Sequence, residues 1–243
     1  SNGMARLHDI SAFDAKRVKL LTFDLAHMVA WGVQKEIGQV DYIVHIAAET
    51  HVDNSIAEPE VFVQANVFGT FHMLQFARTQ GNLKKFVYFS TDEVFGPAPE
   101  GTFFKEWDRY NSSNPYSATK AGGEELCLAW GNTYGVPILI THTMNAFGER
   151  QHPEKFIPLV LRKVLAGEVV QIHSNPGKTF SGSRFYIHCR NIAAAVLFLL
   201  EKGKIQDKYN VVGEKEISNL ELAQFIARVV GRDLNYQLVD FHS

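Results

Sequence analysis

The chain has 243 residues and 27.3 kDa, with 24 Lys+Arg against 26 Asp+Glu, a formal net charge of −2 and a pI of about 6.5. That balance offers neither the basic stripe of a nucleic-acid binder nor an acidic tail, and 46% hydrophobic with 21% charged residues is an ordinary globular mixture. Two cysteines, Cys127 and Cys189, exclude a disulfide framework and a Cys-rich metal site and favour a reducing, cytoplasmic setting, while the apolar runs fall short of the about 20 residues of a membrane span.

In chain order, residues 18–23 read as a first short apolar strand. Gly32 and Gly38 follow at a suggestive spacing, but Lys35 stands where the middle glycine of a dinucleotide fingerprint belongs and no strand leads directly into them, so the match is rejected. Residues 41–47 predict a second strand, 85–90 a third and 137–142 a fourth, all nearly continuous in hydrophobicity, as strands covered on both faces are. Amphipathic stretches at 59–80 and 115–134 predict the intervening helices. Beyond about residue 145 the rhythm loosens, with helices expected near 156–166, 190–202 and 218–230 and a Gly, Pro and Ser-rich segment at 173–183. The predicted fold class is α/β, a Rossmann-type doubly wound parallel sheet over residues 1–145 and a smaller, intertwined lobe over 146–243.

Two segments carry chemistry. In Tyr116-Ser-Ala-Thr-Lys120 the phenol and the ammonium lie one helical turn apart on one face, an arrangement that lowers a Tyr pKa towards use as a base. Alone, it is as often a plain surface pair. Ser90-Thr-Asp-Glu-Val-Phe-Gly96 follows directly on the third strand, at the sheet end where ligands bind. For Thr91, Asp92 and Glu93 to serve one site the backbone must leave the extended form there, and two adjacent carboxylates can be driven to different pKa values, one acid and one base. The bland alternative is a solvated acidic turn. His45, His51, His142, His152, His173 and His188 match no metal spacing, and no metal is expected.

These two segments resemble the extended short-chain dehydrogenase/reductases, and within them the dTDP-glucose 4,6-dehydratases. His45-Ile-Ala-Ala-Glu-Thr-His-Val-Asp-Asn-Ser-Ile56, Asn66-Val-Phe-Gly-Thr70, Asn145-Ala-Phe-Gly148, Pro153-Glu-Lys-Phe-Ile-Pro158 and Tyr209-Asn-Val-Val-Gly213 are similar to further segments of that family. The resemblance implies bound NAD and a nucleotide-sugar substrate. It assigns Asp24 and Leu25 to the adenine, Ile46, Ala47, Ala48 and Ala65 to the ribose and pyrophosphate, and Tyr116 and Lys120 to the nicotinamide ribose, with Ser90 and Ala146 completing the cofactor set. It makes Thr91, Asp92, Glu93, Tyr116 and Lys120 catalytic. It gives the substrate Thr50, Thr91, Asn145, Lys155, Phe156, Gln171, Ile172, His173, Arg184 and Asn210. It also implies a homodimer through the helices at 59–80 and 115–134. Against the family pattern, Asn54 stands for an Arg, Ala146 for an Asn and Asn191 for an acidic residue, and the family's first strand, glycine loop, first helix and second strand have no counterpart after Ser1. The alternatives are a nucleotide-sugar epimerase or UDP-glucuronate decarboxylase of the same superfamily, and a non-catalytic dinucleotide-binding protein.

Overall fold

The computed structural model describes Asp14, residues 16–99 and residues 101–240. Its centre is a four-stranded parallel sheet in the order β1 (Tyr42–His45), β2 (Lys85–Ser90), β3 (Ile138–Thr143), β8 (Asp207–Val211). Strands β2 and β3 carry consecutive apolar residues, 86–89 and 138–140, because alternate side chains enter different cores. Phe86, Tyr88, Ile138 and Ile140 face one side, with Leu74, Phe76 and Cys127 of the helices there; Val87 and Leu139 face the other, with Leu199. The sheet is therefore doubly wound.

The first face carries α4 (Gly69–Arg78) and α5 (Pro115–Tyr134). Helix α4 continues from α3 (Pro59–Phe62) through a π-helical turn at Val63–Phe68. Helix α5 starts where the sequence lets it: Asn114 accepts from the Ser117 N–H, the Ser117 hydroxyl returns to the Asn114 backbone, Pro115 takes a first-turn position without a spare N–H, and Gly135 ends the helix in the left-handed region. Two shorter helices, α1 (Trp31–Ile37) and α2 (Val52–Ala57), flank β1 in sequence. The second face carries α7 (Cys189–Lys202).

A second core joins α6 (Phe156–Ala166) and α8 (Asn219–Val229) to the parallel pair β5 (Val170–Ser174) and β10 (Tyr236–Asp240), through Val160, Val164, Val170, Ile172, Ala223 and Ala227. Short pairs β4 (Ala146–Phe147) with β7 (Ile187–His188), and β6 (Ser183–Phe185) with β9 (Glu216–Ser218), complete the described elements. Strand β8 comes from the later part of the chain yet pairs with β3, so the two parts share one sheet.

One expectation fails. Residues 18–23 are not a strand. The stretch has strand-like composition, but a strand persists only when its N–H and C=O groups join a ladder, and among the described residues no strand lies beside it.

Candidate active site

The carboxyl ends of β1 and β2 and the start of α5 meet at one place. After Ser90 the backbone stays extended through Thr91 and then closes into a 3-10 turn at Asp92–Phe95, with the Thr91 hydroxyl accepting from the Glu93 N–H at 3.3 Å. Gly96 ends the turn at φ 76°, and a Cβ there would strike the Asn111 carbonyl. The turn thus places Thr91, Asp92 and Glu93 in one polar cluster. Thr91 Oγ1 donates to Asp92 Oδ1 at 3.2 Å, and its hydroxyl favours ionisation of the Tyr116 phenol. Asn114, the cap of α5, donates from Nδ2 to Glu93 Oε2 at 3.3 Å. Tyr116 is buried, its backbone N–H held by Ser55 Oγ at 3.1 Å and its ring edge-on to Phe62.

Burial sets the acid–base character. It pushes Asp92 above the ordinary carboxylate range, against the nearby Arg184 charge. It does the same to Glu93, where the Asn114 donor opposes and the Asp92 charge adds to the rise. Tyr116 is also raised, by burial first and then by the Glu93 charge, while the Thr91 hydroxyl works the other way. The expectation of a lowered Tyr pKa therefore fails in this arrangement. Lys120 turns its ammonium to the Phe89 carbonyl and over the Tyr88 ring at 4.4 Å, and is itself pulled down to about 8, chiefly by burial. His45, beneath it, falls to about 4 through burial and the Lys120 charge.

Beside this cluster a cleft of about 490 Å³ opens, lined by Asp24, Leu25, Ala47, Ala48 and Ala65 together with Ala26, Glu49, Glu60, Val61 and Gln64. Five residues assigned to the cofactor thus share one hollow. The alanines keep it open, and Ile46 stands 58% exposed at the end of β1. No lining residue is cationic, so the cleft suits the uncharged adenosine end of NAD. Its floor is braced: His72 Nδ1 meets the Leu25 carbonyl at 2.9 Å, and Asn66 in the π turn clasps the Glu49 N–H and C=O while donating to Thr119 Oγ1 on α5. Asn66 opens one of the segments quoted above and Asn114 stands two residues before Tyr116, but the sequence marks neither as a site residue; their roles emerge only when the chain folds.

The substrate residues divide. Lys155, the residue before α6, reaches the Thr50 carbonyl at 3.5 Å, and its charge, like that of Arg184, is felt by Glu93; Phe156 begins α6. Asn145 holds β7 through its carbonyl, next to Ala146 in β4. Gln171, Ile172 and His173 lie in β5; Ile172 is sealed in the second core, so only the other two present side chains outward. Asn210 spends its side chain on His142 Nδ1 at 3.1 Å and the Phe104 carbonyl at 3.2 Å. Ser90 likewise turns its hydroxyl to Glu124, not to the cleft.

The sequence profile of the NAD dependent epimerase/dehydratase family matches residues 3–212. The chain is 37% identical over 196 residues to the trifunctional UDP-glucose 4,6-dehydratase/UDP-4-keto-6-deoxy-D-glucose 3,5-epimerase/UDP-4-keto-L-rhamnose-reductase RHM2 of Arabidopsis thaliana, covering 80% of this chain and 29% of that protein. It is 38% identical over 201 residues to a dTDP-glucose 4,6-dehydratase of Xanthomonas campestris pv. campestris, covering 79% and 56%. Its fold superposes on DesIV, a dTDP-glucose 4,6-dehydratase from Streptomyces venezuelae crystallised with NAD and TYD, with a TM-score of 0.87 at 32% identity, covering 98% of this chain and 71% of that one. The chain spans between 29% and 61% of the length of such curated relatives.

Proposed function

The chain belongs to the NAD dependent epimerase/dehydratase family, and from that premise we propose that it dehydrates a nucleotide hexose, dTDP-glucose, to dTDP-4-dehydro-6-deoxy-glucose and water. The observation that carries the reading is the buried turn that sets Thr91, Asp92 and Glu93 against Tyr116. Moving a hydride at C4 needs one base; expelling water across C5 and C6 needs an acid and a second base as well. The Asp92–Glu93 pair supplies both, and it favours dehydration over epimerisation or decarboxylation.

Residues 1–145 form the cofactor lobe and 146–243 the nucleotide-sugar lobe. Asp24, Leu25, Ala47, Ala48 and Ala65 hold the adenosine end of NAD, and Lys120 holds the nicotinamide ribose. NAD held there would supply the hydride acceptor and donor of the cycle and emerge unchanged. Tyr116 Oη takes the proton of the 4-hydroxyl, which Thr91 Oγ1 orients. Glu93 removes the C5 proton, made acidic by the neighbouring ketone, and returns a proton to C5 once C6 has been reduced. Asp92, whose carboxyl burial raises above the ordinary carboxylate range, delivers its proton to the departing 6-hydroxyl. Arg184 and Lys155 face the diphosphate; a guanidinium forks onto its oxygens. The expected assembly is a cytoplasmic homodimer, and no helix among the described residues is long and apolar enough to cross a membrane.

The test is incubation of full-length protein with NAD and dTDP-glucose, and separately UDP-glucose, followed by mass spectrometry. Loss of one water is expected, fastest with dTDP-glucose. An unchanged mass with an inverted hydroxyl identifies an epimerase, loss of carbon dioxide from UDP-glucuronate identifies a decarboxylase, and no turnover of any sugar nucleotide leaves a binding protein.

A further inference from the structure

Behind the catalytic turn lies a buried ionic cluster that the chemistry above does not use. Glu124 on α5 and His142 on β3 are both fully buried. The Glu124 carboxylate accepts from the Ser90 hydroxyl on one oxygen and from the Tyr110 hydroxyl on the other. That second oxygen also lies 3.1 Å from His142 Nε2 and 3.3 Å from Lys208 Nζ, and Lys208 donates to the Tyr110 oxygen as well. Burial opposes the charge on Glu124, but the His142 bond and charge and the two hydroxyls outweigh it and hold the carboxyl below its usual range. A buried ion cluster is a poor way to gain stability, since apolar residues of like volume often serve as well.

Its connections point elsewhere. Ser90 immediately precedes Thr91. Glu124 follows Lys120 by one turn and Tyr116 by two on the same helix face. Tyr110 belongs to the segment whose Asn111 N–H donates to the Val94 carbonyl at 2.9 Å, whose Asn111 carbonyl backs Gly96, and whose Asn114 holds Glu93. One carboxylate thus ties the end of β2, the loop before α5 and α5 itself, with His142 of β3 beside it and Lys208 of β8 supplying a balancing charge.

We propose that Glu124 is a positioning residue, which pins the end of β2 and the 101–114 loop to α5 and so keeps Thr91 and Glu93 in register with Tyr116. Its effect on rate rests on the dehydratase reading; the tether itself does not. The experiment uses full-length protein and two kinds of variant. Glu124→Gln removes the charge at constant size. Tyr110→Phe removes one hydroxyl and leaves the ion pairs, so it serves where Glu124→Gln fails to fold. In Tyr110→Phe, kcat for 4-keto sugar formation should fall about tenfold to a hundredfold while KM for dTDP-glucose stays within about twofold, the pattern of displaced groups. Hydrogen exchange needs no activity: amides of 91–96 and 111–114 should exchange faster in the variant, while those of β5 and α8 keep wild-type rates. Acceleration everywhere, or unchanged exchange at 91–96, overturns the inference, as does a raised KM with kcat intact. A wild type that makes no 4-keto sugar overturns the dehydratase reading alone, and exchange still decides the tether.

Discussion

Asp92 and Glu93 are neighbours in a buried turn, and both carboxyls sit above the ordinary range, but Glu93 owes part of its rise to the charge of Asp92. In Asp92→Asn, elimination should slow by about 10²–10⁴-fold, because the leaving hydroxyl loses its acid. Exchange of the C5 proton with solvent should survive with its acid limb in place, because Asp92, as the acid, is still uncharged where Glu93 ionises. Loss of the Asp92 proton should set the alkaline limb of the wild-type dehydration profile, so that the bell reports apparent values of the pair. Glu93→Gln should abolish C5 exchange. A pH–rate series with deuterium incorporation checks all of these, and an acid limb that moves to lower pH in Asp92→Asn shows Asp92 already charged there and refutes its role as the acid. Tyr116 is a different case. Burial and Glu93 hold its phenol protonated, and Thr91 is the group that favours ionisation. Oxidation at C4 should therefore rise with pH, and Tyr116→Phe should slow it by about 10²–10⁴-fold with folding unchanged. Single-turnover NADH absorbance decides this; normal NADH formation in Tyr116→Phe would hand the base's role to another group.

Among the elements, α5 carries most of the site, and its first turn does two jobs. Asn114 caps the helix and donates to Glu93. Asn114→Ala should cost about 1 kcal/mol in stability, which lowers Tm by roughly 2–4 °C in a chain of this size. It should also raise the Glu93 pKa, since the donor that favours the carboxylate is gone, and shift the acid limb of C5 exchange to higher pH. Calorimetry and the exchange profile check the two effects separately, and a Tm loss without the shift would confine Asn114 to capping. The helix was plain in the sequence because its signals are local: Asn-Pro ahead, Gly135 behind, and Tyr116 and Lys120 at a one-turn spacing. Residues 18–23 looked just as much like a strand, yet pairing is a non-local property that composition does not contain. The Tyr–Lys spacing was equally legible, but the direction of the Lys120 ammonium was not. It is decided by the Phe89 carbonyl and the Tyr88 ring, which the sheet brings from about thirty residues away.

For the molecule as a whole, the central sheet was visible because β2 and β3 carry consecutive apolar residues at 86–89 and 138–140, the mark of two covered faces. The cluster around Glu124 was not, since Ser90, Tyr110, His142 and Lys208 come from four segments with no shared spacing. Leu139 measures how firmly the two parts of the chain are joined, for it lies fully buried on β3 against Leu199 of α7. Leu139→Ala should cost about 2–5 kcal/mol, in a single cooperative urea transition read alike by fluorescence and circular dichroism; two separated transitions would mean that the parts unfold on their own. The strand β8 sharpens the point. It closes the sheet beside β3 and delivers Lys208 to Glu124. A recombination breakpoint after Asn145 would therefore yield one fragment with a bare sheet edge and a buried anion stripped of its counter-charge, and another whose strand has nothing to lie against. The two parts of such a fold are not interchangeable cassettes, and a change in what the later part recognises has to be reached by point substitution within an unbroken chain.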